Sequence, residues 1–139
     1  MSVECFLDTN VLVYAVSSAE VDAPKRRRAL ELVRRADFGL SAQVLQEFYV
    51  TVTRKIRKPL GPELAVALME EYRVFPTVPT DYPLIVSAVE LSLRYGVSYW
   101  DGAILAAAEV LEAPIVYTED LAHEQRYGPV RVVNPFLPA

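Results

Sequence analysis

The residues of this chain that can do chemistry are carboxylates. His123 is the only histidine and Cys5 the only cysteine among 139 residues, so neither a histidine pair for proton transfer nor a multi-cysteine zinc site is available. Cys5 lies in an apolar segment, which indicates an inert core thiol. Four acidic residues have positions from which they could reach one rim of the predicted fold. They are Asp8, Glu47, Asp101 and Asp120.

Two of these acids follow predicted strands. Asp8 ends an apolar run at residues 3–7, and Asp120 follows another at residues 115–117. Because ligands in open α/β sheets bind beyond the carboxyl ends of the strands, both acids are expected at one rim. Each also has a structural interpretation. Asp8 can cap the next helix, and Asp120, preceded by Thr118 and Glu119, can belong to an ordinary acidic turn.

The other two acids belong to predicted helices. Glu47 lies about 60° outside the apolar face of the helix that Ser41 caps, so it can reach a rim site or be a solvated boundary residue. Asp101 completes an S-x-x-D capping box that begins at Ser98. The positive end of the helix dipole also favours its ionised, metal-binding form. Structural roles therefore stay open for all four acids.

The elements that must position these acids alternate between short strands and longer amphipathic helices. Strands are predicted at residues 3–7, 38–40, 115–117 and 130–133, with an extended segment at 74–78. Helices are predicted from Val11, from Pro24, from Ser41 to about Arg57, from Pro62, from Ile85 to Tyr95 with Gly96 ending it, and from Ser98 to Leu111. The small residues at 102, 103 and 106–108 leave the last helix slim enough to approach the sheet. The pattern is typical of an α/β fold, one domain over residues 1–139, with a central, mostly parallel sheet of about five strands covered on both faces.

The charge is unevenly distributed along the chain. The net charge is −4, but ten basic residues face seven acidic ones up to Lys58, and four face eleven afterwards. This asymmetry indicates either a basic surface beside an acidic pocket or solvated helix faces. Candidate phosphate contacts are Arg26, Arg27, Arg34, Arg54 and Lys55. Tyr14, Tyr49 and Trp100 are candidates either for stacking on unpaired bases or for core packing.

The four acids lie in motifs that together resemble the PIN-domain family, in particular VapC-like toxins. The motifs are Phe6-Leu7-Asp8-Thr9-Asn10, Gln46-Glu47-Phe48, Tyr99-Trp100-Asp101-Gly102-Ala103 and Tyr117-Thr118-Glu119-Asp120, and residues 131–136 resemble the family's closing strand. The resemblance covers residues 3–136 and is weakest at 58–95. It implies a three-layer α/β/α PIN-like fold. It also implies that Asp8, Asp101 and Asp120 bind metal and that Glu47 binds it directly or through water. Asn10 and Thr118 match polar positions that orient these acids. The resemblance leaves the role of Glu119 open.

The same resemblance implies a function. The chain is expected to be an endoribonuclease that depends on Mg²⁺ or Mn²⁺. In such an enzyme an activated water attacks the RNA phosphodiester in line, and the products carry a 5′-phosphate and a 3′-hydroxyl. The resemblance further implies the toxin of a type II toxin–antitoxin pair, with RNA as substrate, a cognate antitoxin as partner and a homodimeric assembly. We expect a cytoplasmic protein, because no basic region precedes the first apolar run and no apolar stretch is long enough to span a bilayer.

Two other functions are compatible with strand-end acids. Haloacid dehalogenase-like phosphatases and receiver domains also place aspartates there, but they resemble one another in using a later lysine, and no lysine follows Lys58. A PIN-fold RNA- or protein-binding module without catalysis is the second alternative. The retention of an acid in all four motifs disfavours it.

Overall fold

A mostly parallel sheet organises the chain. The computed structural model describes residues 3–138; Met1, Ser2 and Ala139, which the expected domain also includes, lie outside it. Within the described residues six strands pair in the order β3-β2-β1-β4-β6-β5, and every neighbouring pair is parallel except β5 with β6. The strands are β1 Cys5–Leu7, β2 Phe38–Ser41, β3 Thr77–Val78, β4 Ile115–Tyr117, β5 Arg126–Tyr127 and β6 Val130–Val133.

Six α-helices connect these strands within the described part of the chain. They are α1 Thr9–Val16, α2 Ala23–Arg35, α3 Ala42–Val50, α4 Pro62–Tyr72, α5 Tyr82–Tyr95 and α6 Tyr99–Val110. A 3₁₀ turn at Glu20–Asp22 precedes α2, and a π-helical turn at Thr51–Lys55 continues α3. No helix in residues 3–138 combines the length and apolar character that crossing a bilayer requires.

Side-chain caps explain where several helices begin and end. The Ser41 hydroxyl accepts a hydrogen bond from the Val44 N–H, and the Ser98 hydroxyl accepts one from the Asp101 N–H, which confirms both predicted N-caps. Asp81 caps α5 in the same way through the Leu84 N–H. Gly96 ends that helix with φ of 66°, a left-handed conformation that glycine adopts without strain.

The strand order places the helices on two faces. The chain moves from β1 to β2 to β3 in one direction and then crosses back to β4 on the other side of β1. Because parallel crossovers are right-handed, α1–α4 cover one face and α5–α6 the other. The packing agrees, since α1 contacts α2 and α3, α3 contacts α4, and α5 contacts α6. The predicted α/β fold with both faces covered is therefore confirmed, and the order reverses between β1 and β4.

One residue of the slim helix α6 lies in very close contact with helix α5. A Cβ atom on Gly102 would lie 2.5 Å from the Ala88 carbonyl oxygen of α5 and 3.1 Å from the backbone nitrogen of Ser92. The glycine is thus required by helix–helix contact, a role that the sequence did not predict for it. Residues 102–108 are all buried, so the rest of the helix does pack inward as expected.

Four differences from the sequence expectations are larger than a shift of one or two residues. The helix after Ser41 does not run regularly to Arg57, because its last turn is π-helical. Helix α5 begins at Tyr82, three residues earlier than predicted, because Asp81 caps it and Pro83 is compatible with its first turn. Only Thr77–Val78 of the extended segment at 74–78 pairs as a strand. The short strand β5 was missed; it forms a tight antiparallel pair with β6 across Gly128, whose φ is 62°.

Candidate active site at the ends of strands β1 and β4

Asp8 and Thr118 lie side by side because β1 and β4 are in register. Leu7 pairs with Tyr117, so the next residue of each strand leaves the sheet at the same level. The Thr118 hydroxyl donates to Asp8 Oδ2 at 2.8 Å, and the Thr9 N–H donates to Asp8 Oδ1 at 2.7 Å. Asp8 is only 5% exposed and Thr118 is fully buried. The pair forms the floor of a site at the point where strand order reverses, which is where open α/β sheets bind ligands.

Asn10 connects this floor to Asp120. Its Nδ2 donates to the Thr118 hydroxyl at 3.0 Å and to Asp120 Oδ2 at 3.2 Å. The Asp120 N–H also donates to the Thr118 hydroxyl at 3.1 Å. Asn10 and Thr118 therefore hold Asp8 and Asp120 in one network, an arrangement consistent with the orienting role expected for them.

Glu47 and Asp101 approach from two helices. The Thr9 hydroxyl donates to Glu47 Oε1 at 2.8 Å, which ties α3 to the residue after Asp8. Asp101 lies in the first turn of α6 and is half-buried. No hydrogen bond joins it to the other acids among the described residues, so its link to them is the electrostatic repulsion from Asp120.

Burial and mutual repulsion perturb two of the acids. Burial raises the pKa of Asp8 from 3.8 to about 6; the hydrogen bonds from Thr118 and Thr9 oppose the shift, and the negative charges of Asp120 and Glu47 add to it. Burial also raises the pKa of Asp101, the Ser98 hydrogen bond lowers it, and Asp120 raises it further. The charges of all four acids are therefore coupled across one small region, although the acids reach it from four separate segments.

The donor set suits a hard divalent cation without forming a finished cage. Within residues 3–138 no three acidic, histidine or cysteine side chains converge closely enough to enclose an ion. Magnesium keeps several waters and is commonly held by one or two carboxylates together with substrate phosphates, so an open all-oxygen rim fits it. The softer ligands lie elsewhere. His123 accepts from the Asn134 N–H, and burial raises the pKa of Cys5 to about 12.

A cleft of about 750 Å³ opens above this floor. Glu47 and Asp120 line it, whereas Asp8 lies beneath it and Asp101 lies next to Trp100, which is at its wall. Apolar side chains supply much of the remaining surface. The cleft is also lined by Val13, Tyr14, Val50, Lys55, Arg57 and Trp100.

Of the five predicted phosphate contacts, only Lys55 lines the cleft. Arg26 donates to the Ser17 carbonyl oxygen, and Arg27, Arg34 and Arg54 are exposed outside the lining. Arg57 does line the cleft and was missed by the sequence analysis. Its position depends on the π-helical turn, in which the Ile56 N–H bonds to the Thr51 carbonyl five residues earlier and the Thr53 hydroxyl bonds to the Tyr49 carbonyl. The sequence carries no local signal for that turn.

Glu119 is held by a cluster that was also not predicted. Lys25 Nζ donates to Glu119 Oε2 at 2.9 Å and to the Tyr14 hydroxyl at 3.1 Å, and the Tyr14 hydroxyl donates to Glu119 Oε1 at 2.7 Å. The hydrogen bond from Lys25 to Glu119 is the largest cause of a raised Lys25 pKa. Both carboxylate oxygens of Glu119 are thus engaged away from Asp8 and Asp120.

The three aromatic candidates have different environments. Tyr14 is tied to Glu119 and packs edge-on against Phe136 with ring centroids 5.0 Å apart. Tyr49 is partly buried against the core. Trp100 is 62% exposed at the cleft. Core packing therefore describes Tyr49, and only Trp100 presents a largely free ring.

Comparisons with known proteins identify the family and the fold. The PIN-domain family model matches residues 5–128. A chain of FitAB bound to an IR36 DNA fragment superposes with a TM-score of 0.68 at 21% identity, covering 97% of each chain. A toxin–antitoxin complex from Klebsiella pneumoniae gives 0.70 at 17% identity, with 94% and 97% of the two chains covered. The sarcin–ricin loop cleaving toxin VapC20 of Mycobacterium tuberculosis gives 0.67 at 19% identity, with 84% and 89% covered. No curated protein matches the sequence.

Proposed function

The chain belongs to the PIN-domain family, and from this and the acidic cleft we propose that it is a metal-dependent endoribonuclease, the toxin of a type II toxin–antitoxin pair. The observation that carries the proposal is the buried Asp8, held between Thr9 and Thr118 where strand order reverses. Asp120 and Glu47 are coupled to Asp8 electrostatically, and Asp101 is coupled to Asp120. A buried carboxylate with repelling neighbours is costly unless a cation offsets its charge.

Each acid has a proposed role. Asp8, Asp101 and Asp120 bind Mg²⁺ or Mn²⁺, and Glu47 binds it directly or through water. A divalent cation in such a site supplies an activated water and offsets the charge that develops on the phosphate. Thr118 and Asn10 fix the directions of the Asp8 and Asp120 oxygens through the bonds described above. The Thr9 hydroxyl does the same for Glu47.

The partners are proposed from the similar structures. Complexes of toxin with antitoxin, two of them bound to DNA, superpose on most of this chain, which supports a cognate antitoxin for it. VapC20, which is described as cleaving the sarcin–ricin loop, supports RNA as the substrate class. We further propose a cytoplasmic protein that forms a homodimer.

The test is metal-dependent cleavage of structured RNA by the purified protein. Wild-type protein should cut with Mg²⁺ or Mn²⁺ and stop on addition of EDTA, and Asp8→Asn and Asp101→Asn should reduce cleavage to background. Glu90→Gln, which changes an exposed carboxylate on α5 outside the cleft, is the matched control and should cut as wild type does. Cleavage by Asp8→Asn at the wild-type rate would refute the proposed mechanism.

A binding module without catalysis is the second candidate. One observation favours it: no three acids among residues 3–138 already enclose an ion. In that case the wild-type protein retains RNA or a protein partner but leaves every RNA intact at any concentration of Mg²⁺ or Mn²⁺. The same experiment therefore separates the two candidates.

A further inference from the structure

The one tryptophan of the chain presents a ring at the acidic cleft. Trp100 follows Tyr99 at the start of α6, directly before Asp101, and its side chain is 62% exposed. Tyr99 packs edge-on against it, with ring centroids 5.0 Å apart and an interplanar angle of 82°. Gln43 Nε2 donates to the Trp100 carbonyl oxygen at 3.4 Å, which ties this helix start to α3. An exposed aromatic ring is thus held next to a proposed metal ligand.

Two cationic side chains share the cleft with this ring. Lys55 and Arg57 both line it and are both exposed. Among the ion pairs of the described residues neither has a carboxylate partner, whereas Lys25, Arg28 and Arg35 each do. Lys55 and Arg57 thus add positive charge to a cleft that also contains Trp100, Val13 and Val50. The combination is complementary to a strand of nucleic acid, which has both charged phosphates and planar bases.

We propose that Trp100 stacks on one unpaired base of the RNA substrate, while Lys55 and Arg57 contact the phosphates next to that base. The inference rests on the proposed function for RNA as substrate and adds the residue that selects unpaired nucleotides. A base inside a duplex has both faces covered by its neighbours, so a side-chain ring reaches only a base that has left the stack. The cleft therefore accepts single-stranded or looped RNA and rejects a continuous duplex.

Trp100 is also its own reporter, because no other tryptophan contributes emission. The probe is an oligoadenylate of about ten nucleotides, which forms no duplex with itself at neutral pH and is within the site size of single-strand binders. It is titrated into the Asp8→Asn protein with Mg²⁺, so that the probe is not consumed. A matched probe has the same ribose-phosphate chain without bases. The oligoadenylate should quench the emission of Trp100, and the abasic chain should bind more weakly and leave the emission unchanged.

Variants at Trp100 test the role in the otherwise wild-type protein. Trp100→Leu keeps an apolar side chain without an aromatic face and should raise KM for looped RNA about 5- to 150-fold, the effect of losing one stacked base. Its kcat should change little, since the acids are intact. Trp100→Phe should restore most of the loss. Tyr82→Ala, which removes a 76% exposed aromatic side chain at the start of α5 outside the cleft, is the matched control and should leave KM unchanged.

The outcomes distinguish this inference from the proposed function. If the protein cuts RNA and Trp100→Leu has the KM of the wild type, stacking is wrong and the nuclease function stands. If oligoadenylate quenches Trp100 but no RNA is cut, the nuclease function fails and stacking stands. Equal emission changes with the oligoadenylate and the abasic chain overturn stacking. Failure of both probes to bind also overturns it, and leaves Trp100 to contact a protein partner.

Discussion

Ionisation of Asp8 should destabilise the metal-free protein, and the size of the effect follows from its burial. Its side chain is 5% exposed and its pKa rises from 3.8 to about 6, so the folded protein holds this proton more tightly than the unfolded chain does. Between these two values the folded state binds more protons, and the free energy of unfolding therefore falls as the pH rises. A difference of about two pKa units corresponds to about 3 kcal/mol. The contribution is present below about pH 4 and lost above about pH 6.

Asp8→Asn removes the pH-dependent contribution of Asp8 to the free energy of unfolding, because asparagine does not ionise. The variant has its own cost, since an amide replaces the oxygen that accepts from Thr118, whose hydroxyl already accepts from Asn10 and from the Asp120 N–H. That cost is about 1–3 kcal/mol and is the same at every pH. The difference in unfolding free energy between Asp8→Asn and wild type should therefore move by about 3 kcal/mol in favour of the variant from about pH 4 to about pH 7.

The assay is urea unfolding in EDTA followed by far-UV circular dichroism, with linear extrapolation at each pH. Glu90→Gln, at an exposed carboxylate, should show a difference from wild type that does not change over the same range. Added Mg²⁺ should stabilise the wild type at about pH 7 and have much less effect on Asp8→Asn, because binding to the folded state alone adds stability. A pH-independent difference between Asp8→Asn and wild type would refute the cost assigned to this buried charge.

Three further predictions concern residues around the floor of the site. Lys55→Ala combined with Arg57→Ala should make the slope of log affinity against log salt concentration shallower by about 1.4 for a single-stranded RNA, about 0.7 for each lost phosphate contact. The control, Arg27→Ala combined with Arg34→Ala, should leave that slope unchanged. Equal slopes for both double variants would contradict the placement of the cationic residues. Glu119→Gln should lower the rate of RNA cleavage by at most about 10- to 100-fold, because Lys25 and Tyr14 hold this carboxylate away from the other acids. A loss of cleavage as complete as that of Asp8→Asn would show that Glu119 binds metal. Gly102→Ala should lower the free energy of unfolding, measured in urea, by about 1–3 kcal/mol. The new methyl group would meet the Ala88 carbonyl oxygen, and this cost outweighs a gain of about 1 kcal/mol in helix propensity. An unchanged urea midpoint would show that α5 and α6 can separate freely.

The acids could be located from the sequence because their placement depends mainly on topology. Asp8 and Asp120 follow apolar strands, and parallel neighbours bring strand ends to one rim whatever the loops do. The caps at Ser41 and Ser98 fixed where α3 and α6 begin, and hence where Glu47 and Asp101 lie along them. These signals are local or depend on strand order alone, so they can be recognised in the sequence without knowledge of how the side chains pack.

The contacts that hold the acids could not be predicted, because they join residues far apart in the chain. The bonds from Thr118 to Asp8 and from Lys25 to Glu119 span 110 and 94 positions. The charge asymmetry was equally ambiguous. Several arginines of the basic half bind backbone or neighbouring acids, as Arg26 does with the Ser17 carbonyl and Arg35 with Asp37, so the solvated or structural interpretation applies to them. Net charge along a sequence does not show which cations remain free.

The π-helical turn explains how one helix serves both the acidic and the cationic part of the cleft. Glu47, Thr51 and Lys55 all line the cleft at intervals of four residues. In a regular α-helix eight residues advance by about 80° around the axis, which would carry Lys55 away from the face of Glu47. A π-helical turn takes up about one additional residue and so removes about 100° of that advance, which returns Lys55 to within about 20° of Glu47. The backbone then becomes extended at Ile56, with ψ of 160°, and Arg57 reaches the same cleft. The π-helical turn is therefore the feature that places the cationic side chains of Lys55 and Arg57 beside the acids of the cleft, and it follows from the hydrogen bonds of residues 49–60 rather than from their composition.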